Sequence, residues 1–310
     1  MSAESKSILR TADLGRSGRA GCTALPLKVL VADDHPVNLR LVAEILRERG
    51  HHPTLADTGF EALRLFRNMA FDAILMDGQM PEMDGYAATR EIRRIEQFAG
   101  GRITIIAVTA NVGPQERQIC LDAGMDDYIA KPIDPDILLD CLESTVAGAG
   151  WVRTSVRGPV GSPGMHPDAT APERPAGLEN IGSAGVFNRA SALERVRGKR
   201  RFLRQLTDMF LAELPTVLDA IGTAAATNNT VQLESLAHRL RGAAITVGGE
   251  ALAGVAAALE KSAGRDAPQD VPCLVAQLYM SAAQLCSALE QFADEAIAPS
   301  GVTGASDLPS

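Results

Sequence analysis

Residues 27–147 alternate short apolar runs with amphipathic stretches, and this alternation limits the possible folds more than any other feature of the chain. The first run is almost continuously apolar, as expected of a strand that is buried on both faces. Five such runs predict strands, at residues 27–33, 52–56, 71–77, 103–109 and 127–130. The stretches that follow them have the apolar spacing of helices. The pattern predicts an α/β fold, a flavodoxin-like doubly wound sheet of five parallel strands.

The remainder of the chain has a different character. Five prolines mixed with glycines interrupt all periodicity over 39 residues, which predicts a linker with a root-mean-square span of roughly 30–37 Å. Beyond it only helical patterns occur, which predicts a C-terminal all-α four-helix bundle with a short leading helix. The predicted organisation is a flexible N-terminal arm, a first domain, a Pro/Gly-rich linker, a second domain and a flexible tail, at residues 1–26, 27–147, 148–186, 187–295 and 296–310.

Composition narrows the possible functions. The net charge of −8 argues against broad binding of nucleic acid or of anionic membranes. The sequence contains no apolar run that we expect to span a membrane, and its first 26 residues lack the apolar core of a secretory signal. The five cysteines are widely spaced and form no Cys-x-x-Cys pair, so we expect reduced thiols and neither a disulfide framework nor a zinc site. These features predict a cytoplasmic protein that does not bind membranes by itself.

Five polar residues follow the ends of the predicted strands. Asp33 and Asp34 end the first strand, Asp77 ends the third, Thr109 ends the fourth, and Lys131 follows the fifth. In a sheet of order 2-1-3-4-5 these strands are consecutive neighbours, and their carboxyl ends share one edge, where doubly wound sheets bind ligands. We therefore expect the five side chains to form one site.

The charges of this site indicate its chemistry. Clustered carboxylates require a divalent cation, and Mg²⁺ prefers such hard oxygen ligands. Asp33 and Asp34 are expected to hold the metal, whereas Asp77 is single and central and is the natural nucleophile toward a phosphoryl donor. Lys131 and Thr109 would share the stabilisation of the transferred group with the metal. The pattern thus predicts a magnesium-dependent phosphoryl site.

Two sequence runs extend this interpretation to a family. The runs 76–85 (MDGQMPEMDG) and 124–132 (GMDDYIAKP) resemble the conserved patterns of response-regulator receiver domains. The resemblance implies that Asp77 is the phosphorylated residue and that the backbone carbonyl of Gln79 is a further metal ligand. It also implies that Tyr128 is the switch partner of Thr109.

The same resemblance assigns the remaining site residues. Asp33 and Asp34 correspond to the acidic metal pair of receiver domains, and Lys131 corresponds to their phosphate-binding lysine, with a cis peptide bond to Pro132. Gly78, directly after the acceptor, departs from the bulkier residues that also occur in the family.

A histidine in the second half is the other candidate. His238 lies on a predicted helix at residues 231–247, about 100° from the buried position Ala237, so we expect it at the edge of the apolar stripe and exposed to solvent. Gly242 follows one turn later, and a glycine within a helix costs about 1 kcal/mol relative to alanine. The gap would let an incoming domain reach the imidazole, and Arg239 and Arg241 would add positive charge for a phosphoryl group.

This helix also resembles a known signature. The run His238-Arg-Leu-Arg-Gly242 is similar to the His-x-Leu-Lys-Gly motif of histidine phosphotransfer (HPt) domains, with Arg241 in place of the lysine. The resemblance implies that His238 accepts a phosphoryl group. An arginine keeps the charge of the lysine but has a different geometry. Of the other histidines, we expect His35 to cap or pack, and His51, His52 and His166 to be surface or linker residues.

Together the two resemblances imply a phosphorelay. Asp77 would receive a phosphoryl group from an upstream sensor histidine kinase, and His238 would pass it to an aspartate of a downstream response-regulator receiver. The linker permits contact within one chain at an effective concentration on the order of mM, although docking between chains is equally compatible. No Gly-rich nucleotide-binding pattern occurs, so we do not expect the chain to use ATP itself.

Several alternatives remain open. The receiver could be a phosphorylation-gated binding module, the chain could be a phosphate sink in which His238 returns its group to Asp77, or the sequence could be the C-terminal part of a hybrid sensor histidine kinase. A magnesium phosphohydrolase is less consistent, because Gln79 stands where such enzymes commonly carry a second aspartate. A DNA-binding regulator is disfavoured by the acidic charge balance.

Overall fold

The computed structural model describes residues 26–110, 114–148, 185–264 and 270–295. The predicted N-terminal arm before Pro26, most of the predicted linker and the predicted tail lie outside the described residues, as do Cys22 and His166. Cys120, Cys141, Cys273 and Cys286 are free thiols, as expected.

The N-terminal half is the predicted doubly wound sheet. Its strands are all parallel and occur in the order β2-β1-β3-β4-β5. Every residue of β3 is buried, as expected for a central strand that is covered on both faces. The elements are β1 (Lys28–Ala32), α1 (Pro36–Arg49), β2 (His52–Ala56), α2 (Gly59–Asn68), β3 (Ala73–Asp77), α3 (Gly85–Ala99), β4 (Thr104–Thr109), α4 (Pro114–Ala123), β5 (Asp127–Ala130) and α5 (Pro135–Val146).

Local signals in the sequence account for several of these boundaries. His35 caps α1 by accepting a hydrogen bond from the amide of Val37, and Gly50 ends the same helix with a φ of +92°. Asp84 caps α3 in the same way, through the amide of Ala87. Gly85 is required there, because a Cβ at this position would lie 1.9 Å from the carbonyl oxygen of Asp77. The tight approach of α3 to the end of β3 therefore depends on this glycine.

The C-terminal half is helical throughout its described residues. A short helix, α6 (Arg189–Arg195), leads into α7 (Arg200–Ala226), α8 (Thr230–Thr246), α9 (Glu250–Ala263) and α10 (Val271–Glu295). The predicted bundle and its leading helix are thus confirmed, and α7 continues through Pro215 as one helix.

Two of these helices meet the length and hydropathy of a membrane span, contrary to the expectation from the sequence. They are Arg200–Ala226 and Val271–Ala293, with mean hydropathies of 1.3 and 1.2. The core helices of soluble proteins pass the same test, and both helices contribute apolar side chains such as Phe210 and Leu285 to the bundle core.

The two halves pack against each other through α1. This helix contacts α7 and α8, and the buried cluster on its side of the sheet, which includes Val37 and Leu41, is continuous with the bundle core. The guanidinium of Arg40 lies 5.9 Å from the ring centre of Phe202 on α7. Polar contacts surround this area, and one of them, from the Thr246 hydroxyl to Asn38 Oδ1 at 2.8 Å, is buried. The helical half thus packs directly on α1 of the sheet domain, and this packed state of the two halves is called closed below.

Candidate functional site

Three carboxylates meet at the edge of the sheet, as the strand order predicts. Asp33 and Asp34 follow β1, and Asp77 is the last residue of the adjacent β3. One oxygen from each residue lies within 4.8 Å of the other two, and all three residues are buried. Burial of three acidic groups so close together is unfavourable without compensating positive charge.

Lys131 supplies part of this charge. Its Nζ lies 2.8 Å from Asp33 Oδ2 and 2.6 Å from Asp77 Oδ2, and the expected cis bond to Pro132 is present. Burial alone would lower the pKa of Lys131, but the two carboxylates outweigh burial and raise it. Burial pushes the pKa of Asp33 upward, but the charge of Lys131 and hydrogen bonds from Lys131, His35 and Asn38 bring it below its usual value. Lys131 and Asp33 are therefore both charged at neutral pH.

The other two carboxylates are not fully compensated. Burial and the charge of Asp33 raise the pKa of Asp34 to about 7. Burial also raises the pKa of Asp77 to about 7, since Lys131 offsets burial and the Asp33 charge only partly. Asp34 Oδ2 is buried and accepts no hydrogen bond. Three hard oxygen donors, one of them without a hydrogen bond, fit a divalent cation such as Mg²⁺.

Thr109 and Tyr128, the predicted switch pair, lie on the neighbouring strands β4 and β5. Thr109 lies at the end of β4 as expected, but its hydroxyl donates to Glu116 Oε1 at 3.1 Å. The hydroxyl of Tyr86 donates to the same oxygen. Tyr128 is half-buried and packs against the apolar cluster on this side of the sheet. One contact of the Thr109 hydroxyl is thus with α4, and the role of Thr109 as a switch residue stays a prediction.

Tyr86 also explains the glycine that follows the acceptor. A Cβ on Gly78 would lie 2.4 Å from the Tyr86 hydroxyl oxygen, so the ring of Tyr86 occupies the space that a larger side chain would need. The amide of the next residue, Gln79, donates to Asp77 Oδ1 at 3.3 Å. The role of the Gln79 carbonyl as a metal ligand stays a prediction.

His238 is buried, contrary to our expectation that it is exposed. Only 7% of the residue is accessible, because α9 and the N-terminal half cover the helix edge that sequence periodicity assigned to solvent. Its Nδ1 lies 2.8 Å from Glu260 Oε1 on α9, and the second oxygen of Glu260 lies 2.8 Å from Arg241 Nη1. Arg241 thus holds Glu260 in place, and its predicted role toward a phosphoryl group stays a prediction.

This contact defines the chemical state of the imidazole. An ionised carboxylate can only accept hydrogen bonds, so the proton of a neutral His238 lies on Nδ1. Nε2 then carries the free lone pair and is the nucleophilic atom. The arrangement of carboxylate and histidine is the one that prepares imidazoles in many catalytic sites.

A cavity lies between the two halves and is bordered by Asp34 of the acidic cluster and by His238. It has a volume of about 170 Å³, and residues of both halves line it, including Asp34, Gln79 and Asp84 on one side and His238 and Arg239 on the other. Gly242 lies directly beside this region, where a Cβ would be 3.5 Å from the Asn38 amide nitrogen. The Asn38 side chain, from the other half of the same chain, thus packs against α8 at Gly242.

Sequence reasoning missed Glu260, Asn38 and the pair Tyr86–Glu116. No local signal marks Glu260, which lies 22 positions after His238 on another helix. Asn38 could be suspected from its position in the first turn of α1, five residues after Asp33, whose two oxygens it contacts at 3.0 and 3.2 Å.

Two of the other histidines test the remaining expectations. His35 caps α1, as predicted. The surface assignment of His51 is wrong, because its ring is buried, accepts the Leu27 amide and lies 3.3 Å from Glu143.

We expect Glu260 to control the reactivity of His238. Replacement by alanine removes a charge-assisted hydrogen bond worth about 1.5–3 kcal/mol, so phosphoryl transfer to His238 should slow by roughly 10- to 100-fold. Glu260→Gln keeps an acceptor oxygen and should retain an intermediate rate. Single-turnover transfer followed by quench-flow measures the effect, and Lys261→Ala, an exposed change on the same helix, is the control. Equal rates in wild type and Glu260→Ala would contradict the assigned role.

Comparison with known proteins agrees with this geometry. The family model of the response regulator receiver domain matches residues 29–143, and that of the Hpt domain matches residues 205–295. The signal transduction histidine-protein kinase BarA of Escherichia coli K12 is 32% identical over 218 residues, which cover 70% of this chain and 22% of BarA. The virulence sensor protein BvgS of Bordetella pertussis is 31% identical over 274 residues, 86% of this chain and 21% of BvgS.

Among solved structures, the receiver domain of sensor histidine kinase PA1611 from Pseudomonas aeruginosa PAO1 is 41% identical. The match covers 39% of this chain and 98% of that domain, with a TM-score of 0.37. That solved domain has a magnesium ion coordinated in its active-site cleft. The chain spans about a fifth of the length of the two kinases. It consists of a response regulator receiver domain followed by an Hpt domain.

Proposed function

We propose that the chain relays a phosphoryl group from Asp77 to His238 and then to a downstream receiver. The observation that carries this proposal is the cavity between the halves, which Asp34 and Gln79, neighbours of Asp77 in the receiver site, line on one side and His238 lines on the other. The upstream donor is a sensor histidine kinase. The matched relatives are kinases of this class, which supports this choice.

In the first step, a carboxylate oxygen of Asp77 attacks the phosphorus of the donor phosphohistidine, and the P–N bond breaks. Lys131, 2.6 Å from Asp77 Oδ2, is placed to neutralise charge on the transferred group. Mg²⁺ bound by Asp33, Asp34 and Asp77 would supply further charge stabilisation to the phosphoryl oxygens.

In the second step, His238 Nε2 attacks the phosphorus of the acyl phosphate, the P–O bond breaks, and the Asp77 carboxylate leaves. The proton on Nδ1 stays in its hydrogen bond with Glu260, which stabilises the positive charge that develops on the ring. The group then leaves for an aspartate of a separate receiver domain, in a cytoplasmic setting. The same geometry supports the reverse flow of a phosphate sink, because both directions pass through one transition state.

The relay is tested by a His238→Gln variant loaded with radiolabelled acetyl phosphate and magnesium. Wild type should carry label at two sites, which differ because acyl phosphates are labile to base and phosphohistidine is labile to acid. The variant should carry only base-labile label. A wild type without acid-labile label would favour the binding-module alternative.

A further inference from the structure

Arg239 on α8 contacts Asp34 of the acidic cluster in the other half of the chain. Its Nε lies 2.8 Å from Asp34 Oδ2, and its Nη2 donates to the Asp34 backbone carbonyl at 3.2 Å. A weaker contact to Glu213 Oε1 on α7, at 3.4 Å, steadies the guanidinium. Only 5% of the Asp34 side chain is exposed. A cation from α8 therefore lies within the acidic cluster of the other half.

The contact between Arg239 and Asp34 is electrostatic rather than a well-aligned hydrogen bond. Neither Arg239 Nε nor Asp34 Oδ2 has a hydrogen-bond partner of good geometry, although the two atoms are 2.8 Å apart. The Asp34 oxygen thus keeps a lone pair directed elsewhere. Such an oxygen is suited to a metal ion, whose attraction does not depend on a donor angle.

We infer that Arg239 and the divalent cation compete for Asp34, so that closure of the Hpt domain and metal binding to the receiver oppose each other. The inference rests on the proposed magnesium site and concerns its regulation. With Lys131 already bound to Asp33 and Asp77, a divalent ion neutralises the remaining carboxylates by itself. The guanidinium of Arg239, a quarter of whose side chain is already exposed, is then repelled by the ion and favours solvent.

Other contacts between the halves do not involve this competition. Arg197 of the helical half lies 2.6 Å from Asp136 Oδ1 of α5, and Lys199 contacts Glu44 and Glu48 of α1, both at the exposed rim. These contacts hold the halves together whether or not the metal is present. Removing them weakens closure without taking a cation away from Asp34, which provides matched controls.

The competition has a consequence for the relay. In the metal-free chain His238 is covered and cannot meet a separate receiver. Metal binding weakens the contact between Arg239 on α8 and Asp34. A receiver half that has bound its metal therefore exposes His238 to a separate receiver domain. Coupling between two sites is reciprocal, so closure must weaken metal binding by the same factor by which the metal weakens closure. Removal of Arg239 abolishes this coupling and should therefore raise the affinity for the metal by that factor, typically about 5- to 150-fold.

The test uses the full chain and no phosphoryl donor. Calorimetry gives the Mg²⁺ dissociation constant. The rate at which diethylpyrocarbonate modifies His238, measured by mass spectrometry, reports how far the receiver half covers the imidazole. Exposed His52 is the internal reference for reagent activity. In wild type, magnesium should accelerate the modification of His238 relative to His52. In Arg239→Gln, Mg²⁺ should bind about 5- to 150-fold more tightly, and the modification rate should not respond to it.

The control variants distinguish competition between Arg239 and Mg²⁺ for Asp34 from a general weakening of the contact between the two halves. Arg197→Gln and Lys199→Gln should keep the magnesium response of His238, and Arg239→Lys should restore it in part because the charge returns. An Arg239→Gln protein with the affinity and magnesium response of wild type would overturn the inference, as would a wild type whose His238 ignores magnesium. Phosphotransfer does not enter these readouts, so failure of the relay and failure of the competition are distinguishable.

Discussion

Replacing Asp77 with asparagine will leave both halves of the chain without label when radiolabelled acetyl phosphate and magnesium are supplied. An amide is not a nucleophile toward phosphorus, so the acyl phosphate cannot form. In the proposed relay His238, which is buried, receives its group from Asp77, so its label should disappear too. The expected loss is complete at both sites, measured by label retained after acid and after base treatment.

The matched control for Asp77 lies at the same edge of the sheet. Asp57 is exposed directly after β2, the edge strand, and lies outside the acidic cluster. Asp57→Asn should be labelled as wild type. Acid-labile label on His238 in Asp77→Asn, at the wild-type level, would refute the forward order and show that His238 is charged directly.

The acidic site was predictable because each of its members ends a buried apolar run. Asp77 and Lys131 are far apart in the sequence, but the order of parallel strands fixes which ends are neighbours, and apolar runs identify the strands. The 2.6 Å contact between these two side chains thus follows from topology. The bounds of helices such as α8 differed from the prediction by only one residue, because caps are local signals.

The environment of His238 was not predictable for the opposite reason. Helical periodicity tells which edge of α8 faces the bundle core, but it does not tell what covers the other edge. Asn38 and Thr246 are separated by 208 positions, and their contact depends on the shapes of two finished domains. The same holds for Glu260, whose approach to His238 depends on the relative rotation of α8 and α9.

Thr109 illustrates a further limit. Its position at the end of β4 follows from the sequence, but its hydroxyl has several acceptors within reach. In the structure the Thr109 hydroxyl donates to Glu116 on α4, which also accepts a hydrogen bond from the Tyr86 hydroxyl. The choice among acceptors depends on small differences in charge and packing that no sequence pattern encodes.

Replacing Lys131 with methionine should lower the free energy of unfolding of the metal-free chain by about 3–5 kcal/mol at pH 8, because it leaves two buried carboxylates without their shared cation. The loss should depend on pH. In wild type, Lys131 helps to keep the pKa of Asp33 below 3.8, so Asp33 contributes stability above that pH. In the variant the pKa of both Asp33 and Asp77 should rise, and their ionisation becomes a cost that appears as the pH increases. The difference between variant and wild type should therefore shrink from pH 8 to pH 5.

Urea denaturation in the presence of a chelator at both pH values measures this difference, and added Mg²⁺ should recover part of it, since the ion replaces the missing charge. Lys199→Met is the matched control, because Lys199 also contacts two carboxylates, Glu44 and Glu48, but lies at the surface, where water screens the pairs. Its stability should change little at either pH. A Lys131→Met protein as stable as wild type at pH 8 without metal would mean that the three aspartates do not ionise together, and the charge argument for a cation at this site would then fail.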